Sequence, residues 1–141
     1  MTERIEVSEV LPVKQKNLYE AWLDSDKHTA FTGSPAVIDK RVGGRFTAWD
    51  GYISGTTITV EPFSRIIQTW RTTEFPEDAP DSEIEVVFEE VPEGTKITLI
   101  HTDIPDGQGE GYRKGWIDFY FTPMKQYFQE KLTGPTGTNR G

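Results

Sequence analysis

The chain has no cysteine among its 141 residues, which excludes disulfides, thiol catalysis and thiolate metal sites together. Histidine is scarce, with His28 and His101 far apart and outside any metal-ligand spacing, so no metal is expected. Positive charge is in deficit: 15 Lys and Arg stand against 23 Asp and Glu, a formal net charge of -8. Such a surface repels phosphate backbones and anionic headgroups, and the expectation is no nucleic acid and no membrane partner. No apolar run is long enough to span a bilayer, and Met1 to Glu6 carries no apolar core of signal-peptide length, so the expected location is cytoplasmic. No nucleophile–base signature and no cofactor motif appears. Gly43-Gly44 lacks the following Lys-Ser or Lys-Thr and the strand-to-helix setting of a phosphate loop, so it reads as a bend and no cofactor is expected. The acids Glu77, Asp78, Asp81 and Glu83 do not follow calcium-loop spacing and read as a solvated loop.

What is present is a concentration of rings near the carboxyl end. Gly111 to Phe128 reads as one long amphipathic helix. At roughly 100° per residue, Tyr112, Trp116, Phe119, Tyr120, Met124 and Tyr127 share a broad face, opposite Lys114, Asp118, Lys125 and Gln129. Pro123 lies inside it, deletes a backbone hydrogen bond and predicts a kink or local irregularity.

Upstream, Ile5, Val7 and Val10 alternate as in a half-buried first strand that ends at Pro12. Leu18, Ala21 and Trp22 have helical spacing. A second short helix is expected with Ser25 as its N-cap, which leaves His28 on a solvated surface. From Ala36 the pattern is strand and turn: Ala36 to Asp39, Gly44 to Trp49, Tyr52 to Val60, Arg65 to Thr73, Glu83 to Glu90 and Thr95 to Thr102. Asp50-Gly51 tolerates the two positive φ angles of a type I′ hairpin turn, which pairs Ala48 with Ile53 and Phe46 with Gly55. The switch of apolar parity to Ile58 and Val60 predicts a bulge or bend near Gly55. Pro92-Glu93-Gly94 turns the last hairpin, and the alternations Ile84-Val86-Phe88 and Ile97-Leu99-His101 mark its inward face. Arg71, next to Trp70 on a strand, must point to the opposite face and pair with surplus acid. Two long connections, Glu74 to Ser82 and Asp103 to Glu110, are candidate pocket rims.

The fold class is therefore α+β: a curved antiparallel sheet wrapped around a long C-terminal helix, with two short helices after the first strand. The length suits one domain, placed at residues 1–132. Residues 133–141 lack apolar side chains and read as a disordered tail.

Glu20-Ala21-Trp22, Arg41-Val42-Gly43-Gly44-Arg45-Phe46, Asp50 to Gly55, Arg65 to Arg71, Gly94-Thr95 and the Gly115-Trp116 helix resemble the family named for homologues of the activator of the ninety-kilodalton heat-shock protein ATPase. That family belongs to the START-like (SRPBCC) helix-grip superfamily. The resemblance implies a pocket under the long helix and, in most of the superfamily, an apolar ligand; some members are polyketide cyclases. It also implies a chaperone as a further partner.

The first expectation is a small START-like protein that binds an apolar or aromatic small molecule between sheet and last helix, without catalysis. The residues expected to line that cavity are Phe46, Trp70, Val86, Phe88, Leu99, His101, Tyr112, Trp116, Phe119 and Tyr120, with His101 and the tyrosine hydroxyls orienting the ligand. Gln68, on the face of Trp70, is a further polar candidate. The alternatives are a co-chaperone-like interaction protein that stimulates a heat-shock chaperone ATPase, and a cyclase-like enzyme using His101 as acid or base.

Overall fold

The computed structural model describes residues 2–133. Period-two alternation forms the strands: β1 (Thr2–Leu11), β2 (Val37–Ile38), β3 (Arg45–Ala48), β4 (Ile53–Glu61), β5 (Arg65–Thr72), β6 (Ser82–Val91) and β7 (Gly94–Pro105). They build one seven-stranded sheet in the order β1-β7-β6-β5-β4-β3-β2, antiparallel at every pairing. The inward alternations behave as their periodicity requires: Ile84, Val86, Phe88, Ile97, Leu99 and His101 are all buried. Between β1 and β2 lie α1 (Gln15–Leu23) and α2 (Ser25–Thr32). The cap of α2 is one residue earlier than expected. Asp24 accepts the Lys27 amide at 2.9 Å, whereas the Ser25 hydroxyl accepts the Ile38 amide at 2.8 Å and ties the helix to β2.

The hairpin of β3 and β4 follows the Asp-Gly register. Ala48 pairs with Ile53 and Phe46 with Gly55, and the Tyr52 amide donates to the Trp49 carbonyl at 3.1 Å. Asp50 and Gly51 take φ of 56° and 89°, and Trp49 joins them at 53°. At Gly55 the reason for glycine is space. A Cβ there would collide with the Thr69 carbonyl oxygen and lie 2.7 Å from the Phe46 ring. The expected bulge falls further along than Gly55, between Thr57 and Thr59, and it turns Ile58 outward to solvent.

The last helix runs from Gly109 to Thr133 in three parts: α3 (Gly109–Gly115), a π-helical turn (Trp116–Phe121) and α4 (Thr122–Thr133). The Thr122 amide donates to the Ile117 carbonyl, five residues back, immediately before Pro123. Irregularity at the proline thus takes the form of a widened turn, which eases the ring past the carbonyl it would meet in a tight α-turn. The widening also corrects the helical face. Trp116, Tyr120, Phe121, Met124 and Phe128 are buried, Tyr127 is only partly buried, and Phe119 is 59% exposed. One inserted residue rotates the next turns of the helix, so ideal 3.6-residue spacing puts Phe119 on the buried face and leaves Phe121 and Phe128 out of it. The tail expected from Thr133 lies, from residue 134 onward, outside the described residues.

Two glycine substitutions separate the two causes. Gly51→Ala meets no neighbouring atom but must hold positive φ, and a loss of about 1 kcal/mol in urea unfolding is expected. Gly55→Ala drives a methyl group into the Thr69 backbone and should cost clearly more. Equal unfolding midpoints for the two variants would mean that crowding is not what requires glycine at position 55.

Candidate functional site

The last helix docks on the sheet through a ring cluster with a polar thread. Trp116 donates its indole N–H to His101 Nδ1 at 3.1 Å. The ring proton of neutral His101 therefore sits on Nε2, which donates to Ser82 Oγ at 2.8 Å. That hydroxyl in turn donates to the Trp70 carbonyl at 2.5 Å. His101 has no exposed surface, and burial lowers its pKa to about 3.

A second histidine completes the underside. His28, expected on the surface, is buried. Its Nδ1 donates to the Trp22 carbonyl at 3.0 Å, leaving Nε2 to accept from the Tyr120 hydroxyl at 2.9 Å. Burial lowers the pKa of His28 to about 4, against a smaller upward pull from its bond to the Trp22 backbone. The Tyr120 phenol is pushed up by burial. Trp22, whose ring is stacked on Trp116 at 6.2 Å, gives its own N–H to Gln68 Oε1 at 3.1 Å, and Gln68 donates to Thr57 at 3.2 Å. Gln68 is thus occupied within the core rather than presented to a ligand.

Beside this cluster, between the β3–β4 hairpin, the end of β5 and the first half of the last helix, lies a pocket of about 640 Å³. Its wall consists of Trp49, Tyr52, Ile53, Trp70, Glu74, Gly107, Gln108, Gly111, Tyr112, Gly115, Trp116, Phe119 and Tyr120. Of the ten residues expected from sequence, Trp70, Tyr112, Trp116, Phe119 and Tyr120 lie on it. Phe46, Val86, Phe88, Leu99 and His101 do not: they are buried in the core, Phe46 with its ring against Gly55, His101 against Trp70, Tyr112 and Trp116, and the others on β6 and β7, which α1 packs against. The acid–base role expected of His101 has no geometric support, since both its ring nitrogens are engaged and neither reaches the pocket.

Eight wall residues escaped the sequence reading. Glu74, Gly107 and Gln108 come from the two connections marked as rims, and Trp49 and Tyr52 flank the Asp50-Gly51 turn. Gly111 and Gly115, four apart on a helix, present no side chain and leave the space open; that spacing was a signal available in the sequence. The tyrosine hydroxyls are committed to the protein rather than to orienting a ligand. Tyr112 donates to Gln108 Oε1 at 2.8 Å and contacts Thr72 Oγ1 at 2.6 Å, while Tyr52 donates to the Glu74 carboxylate. Arg71 faces away as expected, bound to Asp81 at 2.7 Å and to the Ala79 and Pro76 carbonyls, and so it pins the rim loop. A wider groove of about 1060 Å³ lies between α1, the β6–β7 turn and α4. Lysine and glutamate side chains make its lining more polar than that of the first pocket.

A curved antiparallel sheet closed over a long last helix, with a ring-lined pocket at one end, is the helix-grip arrangement. The chain belongs to the family described as "Activator of Hsp90 ATPase homolog 1-like protein", which its residues 12–129 match. It is 29% identical to human "Activator of 90 kDa heat shock protein ATPase homolog 1" over 127 residues, which are 90% of this chain and 37% of that protein. To the homolog from Dictyostelium discoideum it is 27% identical over 116 residues, 82% of this chain and 30% of that one. The chain therefore spans about a third of the length of the curated relatives it matches. Among solved structures, an HSP90 activator from Plasmodium falciparum superposes with a TM-score of 0.76 at 27% identity, covering 93% of this chain and 96% of that one. An AHSA1-like protein from Aeromonas hydrophila shares the fold, with a TM-score of 0.71 at 21% identity over 92% of this chain and 94% of that one.

The two buried imidazoles set a pH dependence. Each has a folded pKa below its ordinary value of 6.5, so the unfolded chain binds more protons as pH falls from 6.5. Their stability contribution is complete above that value and declines below it, by up to about 1.4 kcal/mol per pH unit for each imidazole. Urea unfolding from pH 7 to about 5.5, above the carboxylate range, should show a slope approaching two protons at the acid end. A flat profile would mean that the histidines are not buried as described.

Proposed function

We propose that the protein binds an apolar or aromatic small molecule in the pocket between the β3–β4 hairpin and the last helix, without catalysis. The observation that supports this most is the wall itself. Trp49, Ile53, Trp70, Trp116, Phe119 and the Tyr120 ring enclose it, while Gly111 and Gly115 withdraw side chains from the helix face that a core would fill. A cavity of this size and lining suits a small ligand. The two histidines near the cluster are neutral and internally bonded, so the pocket brings together no acid–base pair around them.

Nile red should bind the wild type at one site with a blue-shifted emission. Gly111→Leu is the test variant, because a Cβ at Gly111 meets nothing within 4 Å and leucine is the better helix former by roughly 0.5–1 kcal/mol. Loss of dye with undiminished thermal stability is the expected outcome. Unaltered binding in the variant, or none in the wild type, would sink the reading.

A second reading rests on a separate observation. The Plasmodium falciparum protein described as an HSP90 activator is matched over nearly its whole length at 27% identity. The corresponding proposal is that this domain engages a chaperone of that class and stimulates its ATPase. The check is steady-state ATP hydrolysis by the chaperone of the same cell, with and without the purified protein. An unchanged rate at saturating concentration would remove this reading and leave the pocket reading intact.

A further inference from the structure

We propose that the pocket selects cations: its preferred ligand is an apolar or aromatic body bearing an ammonium or amidinium group, seated with the charge against Glu74 and the body among the indole rings. This deepens the ligand-binding reading and rests on it.

Among the described residues, Glu74 is the only formally charged side chain in the pocket wall, which is otherwise made of aromatic, aliphatic, glycine and amide residues. Among those same residues it forms no ion pair. The nearest cation in sequence, Arg71, is turned to Asp81 and the loop carbonyls on the other side of the strand. Tyr52 holds the Glu74 carboxylate by donating to it. A carboxylate has lone pairs for several donors, so this bond orients the group without exhausting it. The Glu74 backbone is fixed as well: its amide donates to Thr72 Oγ1 at 3.1 Å and its carbonyl accepts from Gln108 Nε2 at 3.1 Å. The charge is thus anchored at three points on the pocket rim.

The remaining wall suits the same ligand class. The Tyr112 and Tyr120 hydroxyls and the Trp116 indole N–H, which would otherwise greet an anion or a carbonyl, are each committed to protein acceptors. The rings also offer their π faces, whose negative quadrupole attracts a cation. Trp49 and Phe119 pack edge to face at 5.8 Å in the wall. The overall charge of -8 adds a long-range pull on cations and repels carboxylates.

The experiment is isothermal titration calorimetry with three probes that share one ring system: 1-naphthylmethylamine, protonated at neutral pH, neutral 1-naphthylmethanol, and anionic 1-naphthoate. Wild type should bind the amine about tenfold more tightly than the alcohol, the combined effect of an exposed ion pair and a ring contact, and the carboxylate most weakly. In Glu74→Gln, whose amide oxygen can still accept from Tyr52, the amine should lose most of its preference, keeping about the twofold to threefold that the ring contact supplies, while the alcohol is unchanged. Asp78→Asn removes an acid from the same loop that is not in the wall, and it should leave the order intact. Equal affinity for the three probes, or an amine preference undiminished in Glu74→Gln, overturns cation selection at Glu74 but not apolar binding. An amine preference lost equally in Asp78→Asn overturns it too, by tracing the effect to net charge. If no naphthyl probe binds, the proposal falls, and Nile red binding to the wild type then decides whether the pocket reading falls with it.

Discussion

Everything about the position of the last helix turns on the docking of Trp116. Its indole is buried between Trp22 on α1 and Trp70 on β5, with ring centroids at 6.2 and 5.4 Å, and its N–H reaches the buried His101 on β7. Rings of this size supply most of the apolar area at such a contact, and their polar atoms require partners once water is gone. His101 and Ser82 meet that requirement and pass the hydrogen bond on to the Trp70 carbonyl. Helix, both central hairpin strands and α1 are therefore held at one place by burial and by directed bonds together. His28 repeats the device a turn further along, where it joins the Trp22 carbonyl to the Tyr120 hydroxyl.

The pocket is a consequence of where that docking stops. Toward α4 the helix presents Phe121, Met124 and Phe128, and the sheet answers with closed packing. Toward α3 it presents Gly111 and Gly115, which cannot fill the distance to the β3–β4 hairpin. The π-helical turn lies at the boundary between these two regimes. It accommodates Pro123 and at the same time extrudes Phe119 to the mouth, where it faces Trp49. One local departure from α geometry thus divides solid core from open pocket. Such turns are recurrent near functional sites.

Family membership and a pocket make different demands on the same residues. Gly43-Gly44 and Phe46 serve the hairpin: Gly44 is closed against Asp39 and Gly55 against Phe46. They shape the fold rather than the pocket wall. The wall combines buried residues of the grip, Ile53, Trp70, Trp116 and Tyr120, with residues from the connections and the helix start. In the connections packing constrains side-chain identity less than in the sheet and the docked helix face.

Strand order of appearance, the Asp50-Gly51 register, the inward faces of β6 and β7 and the irregularity before Pro123 were all legible in the sequence. Each arises from local physics: side-chain alternation, positive φ, or a missing amide. The outward turn of Arg71 was legible for the same reason. What the tertiary structure alone decided was which inward residues meet solid core and which meet space. Leu99 and Trp70 are both buried on the same face of the sheet, yet only Trp70 reaches the pocket, because the helix part opposite it carries glycines. The burial of His28 was likewise hidden, since it depends on a tyrosine 92 positions away, and the exposure of Phe119 depends on one widened turn that shifts the helical phase. Sequence periodicity reports which face a side chain takes; what stands opposite that face is settled only when distant segments pack together.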